Sequence, residues 1–388
     1  MFTKRTKKAL IKGVLTKKSP IYVQFAVTKR CNLNCEMCAS SVSRKDEKEL
    51  SLPEIEKLAD VLDALNIGVL LLTGGEPFMR NDISEIINIF SRKGFTVRLQ
   101  TNGILATEEK IRKAYDAGMR EITISLESLD PEQQDKITGQ KGSWHKIIQS
   151  IARFSQLLPQ KGTLLGINIV VSKQNLKEIP DIIKFVTEIG FYSSLIPVHL
   201  SATANEDFII RKDAPKFAFT LEDSDEIDRF YKEVIDIKKH GYHVYNSYKF
   251  LRNSPVFLKG GRVNWHCDSP YLYFAISPSG KFLPCVDLKT DISMLENDFV
   301  SLYNSKEFKD KIEKMVRGCA GCFYACWPEM TFLCRDASVF AERAIFGLTS
   351  SFKKRRPVTY EQCLAIINNL KNNKFKGKIG RASCRERV

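Results

Sequence analysis

The sequence has no apolar stretch approaching the roughly 18 residues of a membrane span, which argues against a transmembrane protein. A signal-peptide core is missing too, because Lys12 and Gly13 interrupt the only apolar patch of the N-terminal segment. Without an export signal, eleven cysteines make poor disulfide candidates and point to metal or catalytic use in a reducing compartment. The expected location is cytoplasmic, with room for a membrane-peripheral one. Acidic residues are absent from positions 1–20, which carry seven Lys/Arg, and Lys353-Lys-Arg-Arg356 forms a second basic cluster. Such runs are ordinarily solvated faces or tails. The sharper reading is a patch for an anionic partner: a lipid surface, a nucleic acid or an acidic peptide. No aromatic-interleaved nucleic-acid motif accompanies them, so nucleic acid is disfavoured.

What is present fits a folded chain long enough for two domains: 388 residues, 43% hydrophobic and 27% charged. The last ten residues, Ile379-Gly-Arg-Ala-Ser-Cys-Arg-Glu-Arg-Val388, read like a translated sequencing adapter. They are set apart from fold reasoning as a scar, leaving the true C-terminus open. Without Arg381, Arg385, Arg387 and Glu386 the net charge falls from +15 to +13, and Cys384 leaves the candidate ligands.

The most informative stretch is Cys31-Asn-Leu-Asn-Cys35-Glu-Met-Cys38, directly after the strand-like run Ile21–Val27. Iron–sulfur clusters are held by thiolates, and a cubane normally takes four, so three ligands on one loop leave one iron open. An open metal position is where chemistry happens. A zinc knob with a distant fourth ligand is the alternative.

Residues 21–199 alternate short apolar runs with helix-period segments, the pattern of repeated strand–helix units around a parallel sheet. The expected strands are Ile21–Val27, Gly68–Thr73, Thr96–Thr101, Glu121–Ser125, Leu164–Val171 and Tyr192–Leu200. Six units fall short of the eight of a closed barrel, so the fold class is α/β, a partial (β/α)6 TIM-like barrel. Sites in such folds lie at the carboxyl ends of the strands. Cys31–Cys38, Gly74–Pro77, Thr101–Asn102, Ser125–Glu127 and His199 should therefore surround one cavity. Further on, Leu221 to His240 has helical period, while Ser201–Phe219 and Tyr245–Gly261 read as loops or a bridge.

A second cysteine set follows. Cys267 precedes a strand-like Tyr271–Ile276, a turn at Ser277-Pro-Ser-Gly280, and Lys281–Cys285, making a hairpin with a cysteine near each end. Cys319 and Cys322 form a C-x2-C pair, with Cys326 and Cys334 beyond. Two hairpin cysteines and a C-x2-C pair can close four-fold coordination, around iron–sulfur or in a structural zinc ribbon. The expected organisation is a basic segment over 1–20, a core over 21–200 and a bridge over 201–262. A small α+β cysteine-rich extension over 263–350, a basic segment over 351–378 and the scar over 379–388 complete it.

With both halves read, the chain resembles the radical SAM superfamily over about residues 21–200, with a SPASM/twitch-type extension over about 265–335. The resemblance rests on C-x3-C-x2-C after a first strand, Gly74-Gly-Glu-Pro77 at a later strand end, and Cys267, Gly280 and Cys285. It implies that Cys31, Cys35 and Cys38 ligate a 4Fe-4S cluster whose open iron chelates S-adenosylmethionine. One electron, from a flavodoxin or ferredoxin, would cleave the sulfonium, and a 5′-deoxyadenosyl radical would abstract hydrogen from the substrate. By the same resemblance Gly74, Gly75 and Glu76, with Pro77 closing the motif, contact the methionyl amino group. Thr101, Asn102, Ser125 and Glu127 are candidates for its carboxylate or the ribose, with a strand-end cap or turn as the alternative. Asn168 and Val170 are expected at the adenine or ribose. His199 could face the cavity or be structural, and Met37 stands where an aromatic commonly precedes the third cysteine. The full SPASM spacing is not met. One auxiliary 4Fe-4S cluster on Cys267, Cys285, Cys319 and either Cys322 or Cys326 is expected, with Cys334 and Cys363 as buried thiols. The substrate is a peptide or a small molecule, lipid or glycan, and the first 20 residues are too short for a leader-binding module. The reading from a different class is a non-catalytic, metal-stabilised binding protein.

Overall fold

A computed structural model describes residues 2–38, 48–199, 215–319, 321–352 and 355–373. Its backbone is one eight-stranded sheet in the order β6-β5-β4-β3-β2-β1-β7-β8. The strands are β1 (Tyr22–Thr28), β2 (Val69–Gly74), β3 (Thr96–Thr101), β4 (Glu121–Ser125), β5 (Leu164–Val171), β6 (Tyr192–Pro197), β7 (Tyr273–Ile276) and β8 (Phe282–Leu283). Neighbours from β6 to β7 run parallel, and β8 is antiparallel to β7. β6 and β8 are the edges, so the sheet stays open, as six repeats require.

The helices α1 (Lys4–Thr16), α2 (Leu52–Ala64), α3 (Ile83–Arg92), α4 (Glu108–Asp116), α5 (Pro131–Thr138), α6 (Ser143–Leu157) and α7 (Ile179–Glu188) accompany the first six strands. After them come α8 (Ser224–Lys239), α9 (Tyr248–Leu258), α10 (Phe299–Asn304), α11 (Lys306–Arg317), α12 (Cys326–Arg335), α13 (Ala337–Phe352) and α14 (Tyr360–Asn373). Alternation along each strand sorts the side chains into two faces. Val23, Phe25, Val27, Leu70, Leu72, Val97 and Leu99 pack under the helices in the main core. Each such burial contributes about 1.5–3 kcal/mol. The opposite positions, Gln24, Leu71, Arg98, Gln100, Thr123, Ser125, Val170 and Ser194, are only half-buried and line the interior. Across it Arg98 and Glu121 pair at 2.6 Å, putting a salt bridge between β3 and β4.

The structure departs from the sequence reading in four places. The basic N-terminal segment is not a tail but the capped helix α1, which lies across the strand starts. Thr6 Oγ1 donates to Gly68 O at 2.6 Å, Thr3 Oγ1 to Gly94 O at 2.6 Å, and Thr6, Ala9 and Gly13 are its buried face. Tyr245–Gly261, read as loop, contains α9, which Ser247 caps at Phe250 N and which holds Pro255 in its interior. Residues 355–373, the described part of the C-terminal basic segment beyond α13, are no tail either. Arg355 is buried, its Nη2 donating to Leu158 O at 2.9 Å, and burial lowers it to about 10; Cys363 and Ile367 of α14 join the main core. Lys353, Lys354, Leu200 and the 379–388 scar lie outside the described residues.

Finally, the cysteine-rich hairpin forms as read, but it is not a layer of its own. β7 pairs with the free edge of β1, from Tyr22↔Tyr273 to Phe25↔Ile276, and so extends the core sheet. Its residues Tyr273–Ile276 are all buried, as a strand covered on both faces must be.

Candidate functional site

The three cysteines of the first loop are held at the carboxyl end of β1 from two sides. On one side Gly75 N donates to Thr28 O and Glu76 N to Arg30 O, both at 2.8 Å. A Cβ on Gly74, whose φ is +135°, would lie 2.2 Å from Thr28 O, and one on Gly75 would lie 2.2 Å from Arg30 O. These glycines therefore make room for the cysteine loop's own backbone. On the other side Asn34 N donates to Thr138 O and Glu36 N to Ile137 O, both at 3.1 Å, from the end of α5. Leu33 and Met37 are buried between these supports.

Glu76 works as a fastener. Its Oε1 accepts from Phe78 N at 3.0 Å and Thr101 Oγ1 at 2.7 Å, and its Oε2 from Asn102 N at 2.7 Å. The carboxyl is fully buried, and burial pushes its pKa up against those donors. Asn102 continues the chain of bonds, its Nδ2 donating to Asn32 Oδ1 at 2.9 Å and lying 3.8 Å from Cys31 Sγ. Thr101 and Asn102 thus join β2, β3 and the cysteine loop.

Within the loop Leu33 N donates to Cys31 Sγ at 3.4 Å. Burial raises the Cys35 thiol well above its usual value, and Cys38, Cys31 and Glu127 add to the rise, so these four groups are neighbours. Among the described residues no three His, Cys, Asp or Glu side chains are already gathered as a closed metal cage. The donor set nonetheless fits an iron–sulfur centre: three soft thiols on one braced loop.

Glu127 stands out at the mouth. It is 5% exposed, its Oε2 has no hydrogen-bond partner among the described residues, and burial raises its pKa to about 8. Its backbone is fixed by Gln134 Oε1, which accepts from Glu127 N at 2.9 Å, and by Asn175 Nδ2, which donates to Glu127 O at 3.0 Å. Ser125 is in register with Asn168 on the interior face, and Asn168 Nδ2 reaches Thr123 Oγ1 at 3.2 Å. Val170, half-buried beside Ile196, shares that wall.

A carboxyl raised from 4.5 to about 8 makes the folded state bind the extra proton across that window, so ionising Glu127 costs stability as pH rises. In the metal-free protein, urea titrations should show wild type losing about 1.4 kcal/mol per pH unit relative to Glu127→Gln through this range. Parallel pH profiles for the two proteins would contradict the assignment.

His199 does not reach the cavity with a usable nitrogen. Its Nδ1 donates to Pro197 O at 2.7 Å, its Nε2 accepts from Phe323 N at 3.0 Å, and its ring stacks on Tyr324 at 3.6 Å. Burial drops its pKa to about 3, so it is neutral. His199 ties the end of β6 to the second cysteine segment.

In that segment Cys267 lies within electrostatic range of Cys285, Cys319 and Cys322. Among the described residues, however, no three of these thiols are close enough together to hold a metal ion. Cys267 feels Cys319, Cys285 feels Cys267, and Cys322 feels both Cys285 and Cys267. Cys326 points elsewhere, its Sγ 4.0 Å from Gln24 Oε1 on β1, with no cysteine among its electrostatic neighbours. Cys334 lies by Asp268, Lys17 and Arg335, and Cys363 is buried in α14. The sequence reading missed Asp287 and Tyr324. Tyr324 OH donates to Asp287 Oδ1 at 3.1 Å, and the half-buried Asp287 carboxyl, raised in pKa by desolvation, sits beside Cys285 and Cys322. The signal available was an acid two residues after a candidate ligand.

With the site in place, comparison with known proteins is informative. The Radical SAM superfamily model matches residues 25–186. The chain is 29% identical over 246 residues to Fe-coproporphyrin III synthase of Methanosarcina barkeri, covering 61% of this chain and 60% of that protein. It is 27% identical over 272 residues to PqqA peptide cyclase of Bradyrhizobium diazoefficiens, covering 69% and 66%. The matched stretch thus spans about three fifths to two thirds of each relative. Among solved structures, Streptococcus suis SuiB bound to precursor peptide SuiA superposes with a TM-score of 0.60 at 18% identity, covering 79% of this chain and 70% of SuiB. That is a likeness of fold. The cysteine loop, the glycine-braced strand end and strands β2 to β5 fall within the matched region, so residues 25–186 match a radical SAM domain.

Proposed function

We propose that this chain is a radical SAM enzyme that modifies a peptide, with an auxiliary cluster on Cys267, Cys285, Cys319 and Cys322. The observation that carries the proposal is the cysteine loop fixed at the carboxyl end of β1, facing the carboxyl of Glu127, whose Oε2 is unpartnered among the described residues. Bound to Cys31, Cys35 and Cys38, a 4Fe-4S cluster with S-adenosylmethionine supplies a 5′-deoxyadenosyl radical for hydrogen abstraction.

The chain's own residues do the rest. Cys35, raised by burial, must release its proton to become a ligand, so loading is favoured by higher pH. Leu33 and Met37 keep water from the loop's inner side. Glu127 is available to accept a hydrogen bond from the cofactor's amine or ribose hydroxyls, while the Ser125 hydroxyl and Asn168 amide present polar groups on the adjoining wall. The Glu76 carboxylate is saturated by Phe78, Thr101 and Asn102, so it shapes this end of the sheet.

For the substrate, the similarity to PqqA peptide cyclase favours a peptide. The interior supports it: Gln24, Gln100, Thr123, Asn168 and Ser194 offer neutral amides and hydroxyls, a better match to peptide bonds than to a carboxylate-rich porphyrin. A one-electron donor such as a flavodoxin or ferredoxin completes the reading.

Anaerobic reconstitution with S-adenosylmethionine and dithionite tests it. Protein carrying about eight irons, enough for two cubanes, should form 5′-deoxyadenosine. Cys322→Ser should fall to about four irons while Cys326→Ser keeps about eight. No 5′-deoxyadenosine above background, together with a cluster spectrum indifferent to S-adenosylmethionine, would favour a metal-stabilised binding protein instead. The reverse pattern of iron loss would overturn the auxiliary ligand set.

A further inference from the structure

The base of the barrel, opposite the cysteine loop, carries a surface the chemistry does not use. α1 spends one face on docking: Thr6, Ala9 and Gly13 are buried, and the Arg5 guanidinium bonds Ile67 O and pairs with Asp63. The other face is exposed. On it Ile11 and Leu15, one turn apart, are 62% and 75% accessible, and Phe2 at the helix start is 39% accessible. Around them stand five exposed lysines, Lys4, Lys7, Lys8, Lys12 and Lys18, with no acid anywhere in residues 1–20. Lys309 of α11 adjoins the patch. Its pKa is lowered by burial and then by Lys18 and Lys12, so these cations crowd one another across two helices. α11 carries its own acids, Glu307, Asp310 and Glu313, which offset much of its remaining charge. The positive excess belongs to α1.

Two large apolar side chains at the centre of a lysine ring, on the convex side of a docked helix, form the pattern of an interfacial helix. Aliphatic groups enter the headgroup boundary while lysines meet lipid phosphates. An acidic peptide or a nucleic acid would be served by the charge, but it gains nothing from isolated, outward-pointing Ile11 and Leu15 and would prefer a groove. The geometry points to α1 as a peripheral docking surface for an anionic membrane, with Ile11 and Leu15 inserted and Lys4, Lys7, Lys8, Lys12 and Lys18 on the headgroups. Since α1 lies across the strand starts, docking there leaves the cysteine loop at the strand ends facing the aqueous side.

Deleting residues 1–20 would strip a buried face from the barrel, so point variants are the proper test. The full chain should co-sediment with phosphatidylcholine vesicles containing roughly a third phosphatidylserine, and not with phosphatidylcholine alone. Ile11→Ser/Leu15→Ser and Lys8→Glu/Lys12→Glu should each weaken that binding about tenfold or more with melting temperature unchanged, because all four side chains are exposed. Equal binding to neutral vesicles, no vesicle binding at all, or wild-type binding by the Ile11→Ser/Leu15→Ser protein would overturn the assignment. The last result, with binding transferred to a polyacidic peptide or RNA, would assign the surface to that partner. None of these readouts depends on iron or turnover, so they stand apart from the proposed chemistry.

Discussion

Gly75→Ala should leave a protein that folds less stably and loads its first metal site poorly, although the substitution adds one methyl group and touches no thiol. The new Cβ would sit 2.2 Å from Arg30 O and 2.6 Å from Lys29 O. These are backbone atoms of the loop that carries Cys31, and they cannot rotate away as a side-chain end could. Relief requires the loop base to retreat from β2, which breaks the bonds from Gly75 N to Thr28 O and from Glu76 N to Arg30 O. Overpacking and two lost bonds together cost about 3 kcal/mol or more, a fall of roughly 5 °C or more in melting temperature. Differential scanning calorimetry of the metal-free protein and iron content after reconstitution check the two halves of the expectation. An alanine variant as stable and as iron-replete as wild type would mean that the loop is not braced as described.

Cys35→Ala should have the larger effect on activity and the smaller one on stability. The side chain is half-buried near Cys31, Cys38 and Glu127, and its removal leaves two thiols on the loop. Two thiolates do not retain a cubane that depends on three, so 5′-deoxyadenosine formation should fall to background. Urea denaturation of the metal-free variant should differ from wild type by no more than about 1–2 kcal/mol, since a small half-buried thiol is replaced by a smaller apolar group. If the variant fails to fold even without metal, the loop is a structural element rather than a cofactor cradle.

How much of this could be read in the sequence depended on whether the signal was local. The strands β1 to β6 were legible because each alternates an apolar helix-facing set with a more polar interior set, or is apolar throughout. The cysteine loop was legible through spacing alone. α1 was hidden because it docks through Thr6, Ala9 and Gly13, which give no hydrophobic periodicity. α9 was hidden by Pro255, a residue that ordinarily ends helices. The partner of β7 could not be read, because parallel pairing with β1 is a contact across some 250 residues that leaves no local mark.

The same limit applied inside the site. Cys322 and Cys326 are equivalent as sequence. In the structure Cys326 begins α12 with its Sγ 4.0 Å from Gln24 Oε1, a placement that spacing does not encode. Glu76, expected as a cofactor contact, accepts hydrogen bonds from Phe78, Thr101 and Asn102 that no local pattern announces. His199 lies at a strand end, yet of its two backbone partners Phe323 is 124 residues away.

The pairing of β7 with β1 has a consequence for how such a chain could be shortened or recombined. A cysteine-rich extension that formed its own layer could be cut away as a cassette. Here the cut would bare the edge of β1, from Tyr22 to Phe25, with its row of unpaired amides and the aromatic and aliphatic side chains that Tyr273 to Ile276 now cover. An open, flat, apolar edge is a template for self-association. Truncation before residue 273 should therefore yield aggregates rather than a smaller working enzyme, and lineages carrying this architecture would be constrained to inherit both cysteine sets together.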